Sequence, residues 1–242
     1  MIRTDLTNQL AVVTGAGRGI GRAIAIALAK NGALIVAAAR TRAEIEDTTE
    51  NIVQSGGSAL PFSCDLARES DLQDLFAFVD QQPQLFTIMV NNAGVGRYGL
   101  FHETPTQDLQ ALLDINVRGT YICCREALQR MIPHQKGTII NISSVVGIKG
   151  YPNQSAYTAS KHAVVGMTKS LAVEAQPHGI RVSVIHPGGV DTDLVREARP
   201  DLDPDILMRP EDIAHTVMYL LSLSDHCAVD EIYIRRRGSK PF

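Results

Sequence analysis

Tyr157 and Lys161 stand four residues apart in a stretch, Ala156–Ala175, whose apolar spacing predicts a helix, so both side chains would share one face. A phenol titrates at about pH 10 and is a poor proton donor or base at neutrality unless its surroundings shift it. A neighbouring ammonium favours the phenolate, which would lower that value and fit Tyr157 for general acid–base work. Ser144 lies just past the expected strand Thr138–Ile142, where its hydroxyl can donate to an oxygen on which negative charge develops. Proton transfer combined with oxyanion stabilisation is the equipment of carbonyl chemistry. Each part also has a plainer explanation, since a Tyr–Lys pair on a helix is commonly a surface pair and a serine after a strand a turn residue.

A second constellation lies near the N-terminus. Thr14-Gly15-Ala16-Gly17-Arg18-Gly19-Ile20-Gly21 falls between an expected strand, Leu10–Val13, and an expected helix, Ile20–Asn31. Ile20 occupies the third glycine's place in the strict Gly-x-Gly-x-x-Gly spacing, so the pattern is Gly-x3-Gly-x-Gly. The physics is unchanged: Gly15 permits a tight turn, Gly19 lets backbone amides approach a diphosphate, and Gly21 lets the helix pack close to the strand. The helix N-terminus then favours negative charge. A P-loop is excluded, because no Gly-Lys-Ser/Thr closes the segment. The second expected strand, Leu34–Ala38, runs into Ala39-Arg40 with no acid to accept a ribose 2′-hydroxyl. Arg40, with Arg18 in the loop, suits a 2′-phosphate, which favours NADP(H) over NAD(H). The competing reading leaves both arginines solvated or paired with Glu44 or Glu46.

The elements that must hold these residues alternate along the chain. Short apolar runs at Thr87–Val90, Arg181–Ile185 and Glu231–Ile234 join the strands already named, each apolar on both faces as in a buried parallel sheet. Helical spacing fills the intervals at Ala43–Gln54, Ser70–Asp80, Asp108–Met131 and Glu211–Leu221. Alternation of this kind predicts a single-domain, doubly wound parallel α/β sheet of Rossmann type over 1–242, with helices on both faces. The least regular stretch, Gly188–Arg209, is expected to hold a short substrate loop at 190–209 or a plain surface connection.

Composition narrows the function. The chain has 242 residues, 45% hydrophobic and 20% charged, with a net charge of −3. There is no basic footprint for nucleic acid, and no apolar run approaches the roughly 18 residues that span a bilayer. Four cysteines include no Cys-x-x-Cys pair and the histidines no His-x3-His pair, so no metal site is expected. The N-terminus lacks the apolar core of a signal peptide, and a cytoplasmic location is the expectation.

Taken together, the phosphate loop, Asn91-Asn92-Ala93-Gly94, Ile115-Asn116-Val117, the Ser144/Tyr157/Lys161 set and Pro187-Gly188-Gly189-Val190-Asp191-Thr192 occur in an order that resembles the short-chain dehydrogenase/reductase family. The resemblance implies hydride transfer between a nicotinamide and a carbonyl carbon, with Tyr157 moving the proton and Ser144 holding the substrate oxygen. Lys161 would lower the tyrosine pKa and bind the nicotinamide ribose, and Asn116 would support a relay water through its backbone carbonyl. Cofactor contacts are implied for Gly15, Arg18, Gly19, Ile20, Gly21, Arg40, Asp65, Leu66, Asn92, Ala93 and Gly94. The same holds for Tyr157, Lys161, Pro187, Gly188, Val190 and Thr192. Of the two adjacent serines, the family pattern selects Ser144 over Ser143.

The expected substrate is a small carbonyl compound, a 3-oxoacyl thioester on an acyl carrier or coenzyme A or another ketone or aldehyde. Arg125, Arg130 or Lys136 could form a docking patch for an acidic carrier. Tyr98, Val145, Tyr151 and Leu194 are expected to face the substrate. Alternatives are NAD-dependent alcohol oxidation and a non-catalytic dinucleotide sensor. A sugar-nucleotide epimerase, which also uses a Tyr-x3-Lys pair, would need a longer chain. The expected assembly is a homodimer through Asp108–Met131 and Ala156–Ala175, or a homotetramer. The end of the chain departs from the family's usual Val-Asp-Gly-Gly: after Val229-Asp230-Glu231 come Arg235-Arg236-Arg237, expected to be a solvated tail, with binding of an acidic partner as the lesser alternative.

Overall fold

The computed structural model describes residues 4–198 and 201–240; residues 199 and 200 of the expected substrate loop lie outside that set, as do residues 1–3. Seven strands form one parallel sheet in the order β3-β2-β1-β4-β5-β6-β7. They are β1 (Gln9–Thr14), β2 (Leu34–Ala39), β3 (Ser58–Ser63), β4 (Leu85–Asn91), β5 (Gly137–Ile142), β6 (Ile180–Pro187) and β7 (Glu231–Ile234). The central strands are buried on both faces because helices cover both. Ala11, Val13, Ile88 and Val90 pack under α1 (Gly19–Ala29) and α8 (Pro210–Leu221), which contribute Ile24, Leu28, Val217 and Leu221. Leu10, Val12 and Met89 face the other way, onto α3 (Glu69–Asp80) and α5 (Thr120–Met131) through Leu72, Phe76, Cys123 and Ala127. A buried polar chain crosses this second layer. The Asn91 amide donates to Asn141 Oδ1 at 2.8 Å, and the Asn141 amide donates to Thr168 Oγ1 at 2.9 Å. Leaving any of these groups unpaired would cost about 1–3 kcal/mol, so the chain locks β4 and β5 to α6 (Ser155–Ala175).

Two elements differ from expectation. The third strand, Ser58–Ser63, has no continuous apolar run because it is an edge strand with one partner, and Pro61 is tolerated there. The stretch Asp108–Met131 is not one regular helix. It opens earlier, as α4 (Thr106–Leu112), passes through a π-helical turn at Leu113–Gly119, and resumes as α5. Such turns widen a helix locally and occur often at functional sites. Asn116 lies within it. The irregular stretch after β6 contains α7 (Asp193–Ala198), and Val190 returns to pair with Met208.

The order of strands reverses between β1 and β4, since the chain winds outward from β1 to β3 and then from β4 to β7. In open parallel sheets the crevice outside the carboxyl ends at such a switch point is where ligands bind.

Candidate active site

A cleft of about 580 Å³ runs along that edge, within the usual range for small-molecule and cofactor sites. At its β1 end lies the glycine loop. Gly15 adopts φ +65°, a conformation open to glycine, and a side chain there would press on Ala93 and the Asn92 amide. A Cβ on Gly21 would overlap the Gly15 carbonyl outright. The loop is braced by Thr14, whose Oγ1 accepts from the amides of Asn92 and Ala93 at 3.0 Å each. Asn92 returns the favour by donating its side-chain amide to the carbonyls of Thr14 and Gly15. Asn92 therefore lines the cleft but commits its amide to shaping the loop. The bare cradle so formed fits a dinucleotide diphosphate.

The other expected cofactor positions surround this cradle. Ile20, Leu66, Gly94, Pro187, Gly188 and Val190 line the cleft. Asp65 lines it too, and its carboxylate accepts from the Ala67 amide at 3.0 Å. Thr192 reaches across, its Cγ2 standing 3.0 Å from where a Gly19 side chain would begin. The two loop-side arginines differ. Arg40 is exposed at the end of β2 and has no ion pair among the described residues. Arg18 is engaged with Asp193 of α7 at 2.9 Å and lies 3.9 Å from Glu44.

At the centre of the cleft α6 presents Tyr157 and Lys161, both buried. The Lys161 ammonium lies 5.8 Å from the Tyr157 ring centroid and donates to the Ile142 carbonyl at 3.0 Å. Ser144 follows β5; its Oγ accepts from the Val146 amide and its hydroxyl is hydrogen-bonded with the Tyr157 phenol. Ser143 points inward instead, donating to the Lys161 carbonyl at 3.2 Å. Of the two adjacent hydroxyls, that of Ser144 meets the phenol and that of Ser143 does not. Asn116 spends its whole side chain on structure: Oδ1 accepts from the Val95 amide, while Nδ2 donates to the Val95 carbonyl and Ser160 Oγ. What it can offer a ligand is backbone.

The electrostatics correct one expectation. Burial pushes the Tyr157 phenol up, with Tyr98 adding to the shift and a Ser144 hydrogen bond opposing it. The ammonium does not win: burial lowers Lys161 itself to about 8. Desolvation disfavours both charged forms, and the phenol is neutral at pH 7, the form that can give up a proton. Tyr98 stands edge-on to Tyr157 with centroids 5.8 Å apart and is pushed up to about 12, again mainly by burial.

Tyr98, Val145, Tyr151 and Leu194 all line the cleft as expected. The C-terminal arginines do not form a solvated tail. Arg235 and Arg236 line the far end of the cleft and only Arg237 is turned out to solvent. Nothing in the local sequence signals this, because it depends on the pairing of β7 with β6. Of the three residues expected to form a docking patch, Lys136 is exposed, whereas Arg125 and Arg130 are engaged within the chain. Arg130 binds Asp80 and Glu126 at 2.7 Å and lies over the Phe76 ring, and Arg125 pairs with Glu126 at 2.9 Å.

Comparison with known proteins decides the family. Residues 9–203 match the family model described as short chain dehydrogenase. The chain belongs to the short-chain dehydrogenase/reductase family. It is 36% identical over 219 residues to a human 3-oxoacyl-[acyl-carrier-protein] reductase, covering 88% of this chain and 91% of that one. A mouse relative, dehydrogenase/reductase SDR family member 11, is 37% identical over 247 residues and 94% of each chain is covered. Among solved structures, a metagenomic short-chain oxidoreductase in complex with NADP superposes with a TM-score of 0.85 at 34% identity, covering 96% of this chain and 99% of the other. The protein is accordingly an NAD(P)-dependent oxidoreductase of this family.

Proposed function

We propose that the protein reduces a carbonyl group to an alcohol with NADPH, Tyr157 donating the proton. The observation that carries this reading is a buried phenol one helical turn from a buried lysine, hydrogen-bonded to the hydroxyl of Ser144 at the mouth of β5. The glycine loop would hold the diphosphate, Arg40 the 2′-phosphate, and Asp65 with Leu66 the adenine side. Thr192 with Pro187, Gly188 and Val190 would hold the nicotinamide side. When bound, the nicotinamide supplies the hydride. Ser144 donates a hydrogen bond to the carbonyl oxygen and strengthens it as negative charge grows there. Tyr157 then delivers its hydroxyl proton to that oxygen. Lys161 holds positive charge beside the phenol as it ionises and orients the ribose, while the Asn116 carbonyl positions a water that resupplies the proton.

The human relative named for 3-oxoacyl-[acyl-carrier-protein] reduction supports a 3-oxoacyl or related ketone as substrate class. Exposed Tyr121 and Val173, on the two helices expected to meet across a dimer, support a homodimer there. Among the described residues no helix is long and apolar enough to cross a membrane. The proposed setting is the cytoplasm.

The test is Tyr157→Phe. It should lower NADPH-dependent turnover by about 10²–10⁴-fold, the usual share of a general acid. The dissociation constant for NADPH should stay within about twofold, since a ring of the same shape remains. Turnover close to the parent's would remove Tyr157 from the proton path.

A further inference from the structure

Resting on the reductase reading, we infer a substrate class: the carbonyl compound carries a carboxylate, bound by Arg236. The sorting of arginines along the cleft is what distinguishes this residue. Arg18 and Arg196 are paired with Asp193 and Asp191, each at 2.9 Å. Arg235 donates through one nitrogen to the carbonyls of Arg236, Arg237 and Ser239, which makes it the staple of the C-terminal turn. Arg40 and Arg236 line the cleft with no ion pair among the described residues. Arg40 lies at the end of β2, beside the glycine loop, and is accounted for by the dinucleotide. Arg236 lies past the end of β7, four strand intervals from β1, or about 19 Å at the usual spacing. That is too far for the diphosphate on the loop.

Arg236 is also held in place. The Gly188 amide donates to the Ile234 carbonyl at 2.8 Å, and the Ser239 amide and hydroxyl close the turn on the Arg236 carbonyl at 3.0 and 2.8 Å. A Cβ on Gly189 would lie 3.3 Å from Arg236 Cδ and 3.4 Å from Nε. The side chain thus lies along bare backbone at the exit of β6, half-buried, among the residues that line the cleft. Ser144 leaves β5 two intervals away, about 10 Å. The arginine side chain itself spans part of that interval, so a few bonds must separate the reacting carbonyl from the charged group. A short oxo acid has that shape. A guanidinium in a part-buried site grips a carboxylate through two parallel hydrogen bonds, a geometry no neutral ketone can use.

The experiment compares 4-oxopentanoate with its methyl ester, which share a skeleton and a ketone and differ in charge. Calorimetric titration of the protein, saturated with NADP+, should show the acid binding at least tenfold tighter than the ester. Arg236→Ala and Arg236→Gln should abolish that difference, leaving ester affinity within about twofold, and Arg236→Lys should keep part of it. Equal affinity of the parent protein for acid and ester would overturn the proposal, as would equal loss of both ligands in Arg236→Ala. Turnover is followed separately with NADPH. Acid bound through Arg236 but never reduced would sink the reductase reading while leaving the carboxylate site standing.

Discussion

The two ends of the cleft offer the same chemical group, an arginine with no acid partner among the described residues, on scaffolds of opposite kind. At the β2 end the phosphate cradle itself lies within a short stretch of chain, the loop after β1, the first turn of α1 and Arg40 at the end of the next strand, with Asn92 bracing it from the end of β4. Backbone conformation and the absence of side chains do the shaping, so little charge is needed. At the β7 end the site is assembled from segments far apart in sequence, the Gly188–Gly189 exit of β6 and the Arg235–Ser239 turn, held by strand pairing. The first end is shaped by a local motif, the second by a long-range juxtaposition. The family match at residues 9–203 includes the glycine loop and the exit of β6, and the solved relative with NADP covers 96% of this chain.

The difference can be broken from either side. Gly21→Ala should have the largest effect. Its methyl group would overlap the Gly15 carbonyl, so the loop must open, and we expect a stability loss of about 3 kcal/mol or more with NADPH affinity reduced beyond measurement. Urea denaturation and a cofactor titration check both. Lys161→Met comes next. Lys161 is protonated up to pH 10.5 in the unfolded chain but only to about 8 in the fold. Across that window the unfolded chain keeps a proton that the folded one has released, so stability rises with pH. The gain is on the order of 3 kcal/mol for a shift of this size. The methionine variant should lack that rise when denaturation midpoints are followed through the same window. Arg40→Ala should be the mildest, raising the NADPH dissociation constant by roughly tenfold, the value of one charge-assisted contact, with NADH within about twofold. It should leave the preference for acid over ester untouched, and Arg236→Ala should do the reverse. Cross-talk between those two variants would mean that the ends are not independent.

The same division explains what was legible in the sequence. Spacing suffices for Gly15–Gly21, and for Tyr157 and Lys161, because a loop and a helix turn place their residues by local geometry. The strands buried on both faces announce themselves through unbroken apolar runs. The edge strand Ser58–Ser63 does not, since one side needs no apolar partner. The π-helical turn at Leu113–Gly119 is invisible for another reason: it adds a residue to one turn without altering composition on either side. The sign of the Tyr157 shift is not legible either, because spacing shows the ammonium but not how deeply both groups are buried. For Arg236 the sequence shows a run of three arginines but not the pairing of β7 with β6 that sets it in the cleft.

Asn116 joins three segments by hydrogen bonds from a single side chain: its own widened turn, the loop after β4 through Val95, and α6 through Ser160. That helix carries the proton donor. An amide is too short to stretch, so none of the three can swing away without the others paying in broken bonds. Breathing of the catalytic floor is therefore concerted, and amide protons on either side of Asn116 should exchange with solvent at a common rate set by one shared opening event.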